Sequence, residues 1–280
     1  MKKVLIIGDS RNKTVTKTIK KVLEIVEKKA EVIQYDLNNN KININCKNAD
    51  FAFVFGGDGS ILRAVQLLGA SQIPIAGINV GRLGFLTEFS LKEFVEALPE
   101  ILTGKRIPSK KMMLEVVLQE KGNHKPNKFF AVNEATISRV SYLSVARVRL
   151  FLDDSSVTSY SGDGVIVATP TGSTAYSLSC GGPIVLPGAA ALLVTPINPH
   201  TLTNRPLVVP AYRKIRIEIL SQRGELALSI DGQTNMPLKE GDIVTIRKSN
   251  RVFKLIENYS FYLTLREKLN WGGTPNYGKN

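Results

Sequence analysis

The feature that most constrains the fold is an apolar segment that ends in a glycine-rich turn. Residues 51–55 are all apolar, and Gly56-Gly57-Asp58-Gly59 follows at once. Apolar residues then recur at helical spacing over 61–68. A strand without polar alternation is typical of a parallel sheet that is covered on both faces. The segment therefore predicts a strand, a tight turn and a helix, which is the repeating unit of an α/β domain.

The rest of the first hundred residues continues this alternation. An apolar run at 4–7 precedes a helical pattern at 15–26, and a further strand is expected at 75–80, before Ser90 and Glu93. A serine and a glutamate three residues apart form the capping-box signature of a helix start. We expect an α/β domain over residues 1–108, with a parallel sheet and flanking helices, which carries the Gly56–Gly59 turn.

The pattern changes near residue 110. Ile215, Ile217 and Ile219 alternate with polar residues, and similar runs recur until residue 256 with few helical stretches between them. Such runs predict a second, all-β domain over residues 109–257, similar to a β-sandwich. Helical spacing returns at 261–269, and we expect the C-terminal segment 258–280 to pack back on the α/β domain.

Charge is distributed unevenly in the 280 residues. There are 37 Lys and Arg against 24 Asp and Glu, a net charge of +13, yet residues 164–204 contain no Asp, Glu, Lys or Arg. Five prolines interrupt this charge-free block, whereas a membrane span needs about 20 mostly apolar residues. We expect no membrane partner. The positive excess attracts polyanions and leaves a nucleic-acid-binding protein as a non-enzymatic alternative. No nucleic-acid-binding module and no basic stretch interleaved with aromatics supports it, so we expect no nucleic-acid partner.

Two cysteines, Cys46 and Cys180, lie far apart and form no CxxC pair. This usage is typical of a reducing compartment, so we expect a cytoplasmic protein.

Asp58 is the first candidate for chemistry. Glycines and the N–H groups at a helix start accommodate an anion, and neither GxGxxG nor the GxxxxGK[ST] loop occurs in the chain. A carboxylate in such a turn repels phosphate unless it accepts a proton or helps to hold a metal ion. The alternative is a glycine-rich β-turn in which Asp58 is only a turn former.

Two further segments could line a site. Asn133 and Glu134 lie inside an apparent strand at 129–138, where neighbouring side chains point to opposite faces unless they sit at a strand end or a bulge. Residues 163–177 run from an apolar strand into a turn rich in Ser and Thr, which also fits a simple capped helix start. The functional interpretation is a pocket lined by backbone amides and hydroxyls, with Tyr176 against an aromatic base.

In order and spacing, these motifs resemble those of bacterial NAD kinases along nearly the whole chain. The motifs are GGDG at 56–59, GRLGFL at 81–86, NE at 133–134, DGVIVATPTGSTAYSLS at 163–179, TPINPHTLTNRPLVVP at 195–210 and DGQ at 231–233. GGDG alone also fits lipid-type and other kinases with a different alcohol acceptor, whereas TPTGSTAYSLS is specific. Cys180 departs from the resemblance, since a small alanine is expected there.

The resemblance implies phosphorylation of the 2′-hydroxyl of the adenosine ribose of NAD, with ATP or polyphosphate as donor and a divalent metal, Mg²⁺, as cofactor. It implies that Asp58 accepts the proton, and it implies a homodimer or homotetramer in which Asp163 can serve a neighbouring subunit. Arg63 is a possible phosphate contact, and a solvent-facing position fits it equally well. The NAD-binding residues that it implies are Asp58, Gly59, Phe85, Asn133, Glu134, Asp163, Thr174, Ala175, Tyr176, Ser177, Leu178, Ser179 and Gln233.

Overall fold

The computed structural model describes residues 1–36, 49–81, 84–141, 143–221 and 226–271. The chain divides into two compact units. Unit 1 comprises Met1–Lys110 and Lys254–Asn280, and unit 2 comprises Lys111–Phe253. The sequence pattern predicts the two boundaries after residues 108 and 257. Cys46 lies outside the described residues.

The described helices are α1 (Lys13–Glu27), α2 (Asp58–Leu68), α3 (Leu91–Leu102), α4 (Tyr176–Ser179) and α5 (Phe261–Leu269). The described strands are β1 (Lys2–Gly8), β2 (Ala30–Asp36), β3 (Phe51–Gly56), β4 (Ile75–Asn79), β5 (Ser109–Gln119), β6 (Asn127–Ala131), β7 (Glu134–Arg139), β8 (Ala146–Leu152), β9 (Ser155–Gly162), β10 (Gly164–Ala168), β11 (Ala191–Ile197), β12 (Leu207–Pro210), β13 (Ile215–Ile219), β14 (Leu226–Ile230), β15 (Thr234–Leu238) and β16 (Ile243–Leu255). No helix among them combines the length and the low polarity needed to cross a membrane.

Unit 1 is built on a parallel sheet in the order β2-β1-β3-β4. Every residue of β3 is buried, and Phe53 and Phe55 pack edge-on against Phe94 of α3. The helices α1, α2 and α3 pack against these strands. The predicted strand, turn and helix at residues 51–68 are confirmed, because β3 ends at Gly56 and α2 begins two residues later at Asp58.

Helix α3 begins with the predicted capping box. The Ser90 hydroxyl accepts the Glu93 N–H at 3.3 Å, and the Glu93 carboxylate accepts the Ser90 N–H at 2.8 Å. These two bonds satisfy donors that a helix start leaves without intrahelical partners.

Unit 2 is a sandwich of two sheets. One sheet has the antiparallel order β12-β11-β10-β7-β14-β15, and the other is formed around β16, β13, β8, β9, β5 and β6. Inward-facing residues such as Val167, Leu228 and Ile217 join in one apolar core. The predicted fold class, an α/β region followed by a largely all-β region and a C-terminal helix, is confirmed.

The first part of the charge-free block follows from the position of β10, which is buried along its whole length. Val165 and Val167 face the sandwich core, whereas Ile166 and Ala168 belong to a second apolar cluster. Partly buried Cys180 covers that second cluster. A strand covered on both faces leaves no solvated side for a charged residue.

One strand prediction was wrong. Residues 129–138 form two strands, β6 and β7, separated by a bend at Val132 and Asn133. The Asp231 carboxylate accepts the N–H groups of residues 132–134 and so replaces the strand ladder there. Asn133 and Glu134 therefore lie at a strand end, which was the condition for both side chains to address one ligand.

The C-terminal helix α5 belongs to unit 1, as expected. Its Ser260 cap accepts the Leu263 N–H, and the ring of Phe261 lies 6.2 Å from that of Phe85 between centroids.

Candidate active site

In unit 1, the Asp58 side chain is held by the loop that precedes α3. Its Oδ1 accepts the N–H groups of Leu86 and Thr87 and the Thr87 hydroxyl, each at 3.0 Å. Among the described residues, its Oδ2 accepts one bond, from the Phe85 N–H at 2.8 Å. Because a carboxylate oxygen carries two lone pairs, Oδ2 keeps acceptor capacity while Oδ1 is fully used. The arrangement orients the carboxylate and leaves one oxygen able to take a proton or a cation.

Gly84 makes this contact possible. A Cβ at this position would lie 1.9 Å from Asp58 Oδ1 and 2.4 Å from Thr87 Oγ1, which is closer than atoms can approach. The second glycine of the GRLGFL motif is therefore required by the Asp58 carboxylate.

In unit 2, a second carboxylate organises the backbone around Asn133 and Glu134. Asp231 is 5% exposed and accepts the N–H groups of Val132, Asn133 and Glu134 at 2.7, 2.8 and 3.0 Å. In return, its own N–H donates to the Glu134 carbonyl at 3.0 Å. Burial raises the pKa of Asp231 to about 6, although the three hydrogen bonds act in the opposite direction.

The turn after β10 holds the same backbone from another direction. The Thr169 hydroxyl donates to the Val132 carbonyl at 2.6 Å and accepts the Gly172 N–H at 3.0 Å, and the Thr169 N–H donates to the Asn133 carbonyl. A Cβ on Gly172 would lie 2.2 Å from that carbonyl oxygen. The Asn133-Glu134 backbone is thus fixed by two separate segments of unit 2.

This rigid backbone presents two unsatisfied polar atoms. Asn133 Oδ1 and Glu134 Oε2 are buried and accept no hydrogen bond from the described residues. Burial, and secondly the charge of Asp231, raises the pKa of Glu134 to about 8. Since buried polar groups are almost always paired, these two atoms without a partner among the described residues indicate a place for a hydrogen-bonding ligand.

Cys180 lies near Glu134, and Tyr176 lies near Cys180 and Asp163. The pKa of Tyr176 is raised by burial and also by Cys180 and Asp163, and the pKa of Cys180 is raised by burial and also by Glu134. Arg139 and Asn198 hold the Asp163 carboxylate, with Arg139 Nε 2.9 Å from Oδ1 and Asn198 Nδ2 2.9 Å from Oδ2. The Tyr176 ring remains 45% exposed and therefore available to a ligand.

The remaining predicted residues take different positions. Thr174 and Ala175 lead into α4, in which Leu178 is half-buried and Ser179 is exposed. Ser177 is fully buried, and its hydroxyl is hydrogen-bonded to that of Thr195 at 2.8 Å.

Gln233 is exposed two residues after Asp231. In unit 1, Gly59 follows Asp58 in the first turn of α2, and Phe85 is half-buried. The pKa of Asp9, just after β1, is lowered chiefly by Arg11 and also by the charge of Arg63, so Arg63 faces this carboxylate.

Sequence reasoning missed four residues that hold these two sites: Gly84, Thr87, Thr169 and Asp231. Three of them lie inside motifs that carry the resemblance, GRLGFL, TPTGSTAYSLS and DGQ. The signal was present in the sequence, but it did not show which atoms these residues contact.

The residues present fit a divalent cation that is held mainly by its substrate. No group of three His, Cys, Asp or Glu side chains is placed to hold a metal ion within the described ranges. Magnesium usually keeps several waters and binds one or two carboxylates together with substrate phosphates. The open Asp58 Oδ2 offers one such carboxylate oxygen.

Unit 1 carries an oriented carboxylate at a helix start beyond a parallel strand, and unit 2 carries a rigid, mostly uncharged site with open acceptors. These features are typical of an enzyme that binds a nucleotide.

Comparison with known proteins identifies the family. Residues 8–106 match the family model for the ATP-NAD kinase N-terminal domain, and residues 132–258 match that for the C-terminal domain. The chain is 41% identical to a NAD kinase of Heliobacterium modesticaldum over 81% of this chain and 80% of the relative. It is 39% identical to a NAD kinase of Aquifex aeolicus over 81% and 83% of the two chains.

Two solved structures agree. Yeast NADH kinase complexed with NADH matches with a TM-score of 0.92 at 25% identity, over 100% of this chain and 90% of that one. A NAD kinase from Archaeoglobus fulgidus in complex with ATP matches with a TM-score of 0.79 at 29% identity, over 96% and 98%. The chain belongs to the NAD kinase family and is an enzyme of the kinase class.

Adding a methyl group at Gly84 tests the close contact between Gly84 and Asp58. We expect Gly84→Ala to lower kcat/KM for phosphoryl transfer by about 10²-fold, because the new Cβ must displace the carboxylate or the loop. Gly81→Ala is the matched control, since a Cβ there meets no atom within 4 Å. Steady-state kinetics of both variants provides the measurement, and equal activities would show that the close packing at Gly84 is not needed.

The raised pKa of Glu134 predicts a pH dependence of stability. The folded chain holds this proton more tightly than the unfolded chain, whose carboxyl has a pKa near 4.5. The contribution of this group to the free energy of unfolding is therefore full below about pH 4.5 and is lost as the pH rises through about 8. Asp231, with a pKa of about 6, is largely ionised by pH 7 and therefore contributes little to the change in stability around pH 8.

We expect Glu134→Gln to lose less stability than the wild type between about pH 7 and about pH 9, because glutamine does not titrate. Urea unfolding at both pH values is the measurement, with exposed Glu240→Gln as the control that should follow the wild type. An unchanged pH dependence in Glu134→Gln would contradict the raised pKa.

Proposed function

We propose that the chain transfers the terminal phosphoryl group of ATP or polyphosphate to the 2′-hydroxyl of the adenosine ribose of NAD, giving NADP. Family membership supports this reaction, and so do the ligands of two similar structures, NADH and ATP. Family membership also argues against a lipid-type acceptor, which the GGDG motif alone does not exclude. The observation that carries the proposal is the orientation of Asp58, with its free acceptor capacity at Oδ2.

Asp58 acts as the proton acceptor in this proposal. The 2′-hydroxyl oxygen attacks the terminal phosphorus, the bond from that phosphorus to the bridging oxygen of the donor breaks, and the hydroxyl proton passes to Asp58 Oδ2. Such transfers depend mostly on positioning and charge neutralisation, so a late proton transfer to a carboxylate is sufficient. The backbone N–H groups of residues 85–87 hold the carboxylate in one orientation throughout.

A divalent cation, Mg²⁺, is part of the proposal. The donor phosphates and water would hold it beside Asp58, whose remaining Oδ2 lone pair takes the proton, and it would neutralise the phosphate charge. The chain's own positive charge of +13 would raise the local concentration of the anionic substrates.

Unit 2 supplies most of the proposed NAD contacts. Asn133 Oδ1 suits an amino or hydroxyl donor of a nucleoside, and the Glu134 carboxyl, with its pKa of about 8, can both donate and accept near neutral pH. The exposed Tyr176 suits a base. Asp163 can accept from a ribose hydroxyl or an amide. The other proposed contacts are Gly59, Phe85, Thr174, Ala175, Ser177, Leu178, Ser179 and Gln233, with Arg63 for a phosphate.

We also propose that the protein is cytoplasmic and assembles as a homodimer or homotetramer. The resemblance to oligomeric relatives supports the assembly, in which Asp163 would complete the site of a neighbouring subunit. Sedimentation of the purified protein tests this assembly.

Replacement of the proposed base tests the mechanism. We expect Asp58→Asn to keep the fold and to lose about 10²–10⁴-fold in turnover, because asparagine cannot accept the proton. The assay supplies NAD, magnesium and either ATP or polyphosphate, and an NADP-specific dehydrogenase measures the product. The control is Asp154→Asn, an exposed carboxylate of unit 2. Near wild-type turnover of Asp58→Asn would overturn the assignment, and no NADP with either donor would overturn the reaction.

A further inference from the structure

The segment 84–89 of unit 1, here called the clamp loop, has contacts in two directions. Its residues 85–87 donate three backbone N–H groups and one hydroxyl to Asp58. The following residue, Glu88, is 4% exposed, and its Oε2 accepts the N–H groups of Asn258 and Tyr259 at 2.6 and 3.0 Å. The loop that orients the proposed base is therefore itself attached to the C-terminal segment, about 170 residues further along the chain.

A ring contact strengthens this attachment. The Phe261 ring, at the start of α5, lies 6.2 Å from the Phe85 ring at an interplanar angle of 39°. Aromatic pairs at this separation attract each other beyond the burial of their area. Phe85 also donates its N–H to Asp58 Oδ2, so a shift of this ring displaces a donor of the reacting oxygen.

Further bonds fix the segment before α5. Arg106 Nη1 donates to the Glu257 carbonyl at 3.3 Å and to Asn258 Oδ1 at 3.2 Å, and the Tyr259 hydroxyl donates to Glu93 of α3. Residues 257–261 are thus held by α3 and by the segment after it, and they present two N–H groups and one ring to the clamp loop.

We propose that residues 257–261 are a positioning element for phosphoryl transfer, in which Phe261 and the two N–H groups bound by Glu88 fix the clamp loop and thereby the Asp58 carboxylate. This inference rests on the proposed role of Asp58 as proton acceptor. Phe261 is a positioning residue, because it acts through Phe85. Its effect on turnover follows from geometry, since a displacement of about 1 Å at a reacting group can cost about 10²-fold in rate.

Phe261→Ala tests the ring contact. We expect kcat to fall about tenfold, while Trp271→Ala, an aromatic residue just after α5 that is 54% exposed, retains the wild-type kcat. Phe261→Tyr keeps the ring and should keep the activity. Equal kcat values for Phe261→Ala and Trp271→Ala, measured well below the unfolding temperature of each variant, would overturn the inference.

Two variants of Glu88 test its hydrogen bonds to the Asn258 and Tyr259 N–H groups. Glu88→Gln keeps an oxygen that can accept the two N–H groups, whereas Glu88→Met is of similar size and leaves both unpaired. We expect kcat to be nearly retained in the first and lowered about tenfold in the second. Equal kcat values in the two variants would exclude a role for these bonds.

A double-mutant cycle separates positioning from general weakening of the fold. Thr87→Val removes only the hydroxyl bond to Asp58. If Phe261 acts through the clamp loop, Thr87→Val has a smaller effect on kcat in the Phe261→Ala background than in the wild type. Independent, multiplicative losses would overturn the inference and leave the proposed function intact. Full turnover of Asp58→Asn would instead remove the proposed role of Asp58, and no NADP from the wild type with either donor would remove the proposed reaction.

Discussion

The carboxylate of Asp58 is the constraint on which the site in unit 1 depends. It binds three successive backbone N–H groups and a hydroxyl from residues 85–87, so one side chain sets the path of a loop that has no regular structure. Hydrogen bonds to an ionised acceptor are about twice as strong as neutral ones. The loop in turn fixes the carboxylate, and Gly84 leaves the space that this contact needs. The same hydrogen bonds therefore orient the proposed base and order the loop, so neither can change without the other.

In unit 2 a carboxylate likewise accepts three successive backbone N–H groups, but no role as a reacting group is proposed for it. Asp231 accepts the N–H groups of residues 132–134 and interrupts what would otherwise be one continuous strand. These bonds offset part of the cost of burying its charge, although its pKa is still raised to about 6. The result is a rigid strand end at which Asn133 and Glu134 keep open acceptors for a ligand. In both units, a carboxylate accepts backbone N–H groups that no helix or strand ladder would otherwise pair.

The sequence predicts the parts of this structure that depend on local pattern. The unbroken apolar strand before Gly56, the capping box at Ser90 and the helical spacing at 261–269 each correspond to an observed element. The two strands within 129–138 were not predictable, because the carboxylate that separates them lies almost 100 residues away along the chain. Motif resemblance identifies Asp58, but the use of its two oxygens, the role of Gly84 and the attachment to Phe261 depend on contacts between distant residues.

Amide hydrogen exchange at residues 85–87 tests the central claim most directly, since it reports on the N–H groups that Asp58 is said to hold. Wild-type protein should exchange these three amides slowly. Asp58→Asn should exchange them faster, while the amides of β3 keep their protection, because asparagine replaces one acceptor oxygen with a donor. Fast exchange at residues 85–87 in the wild type, or rates unchanged by Asp58→Asn, would contradict the account.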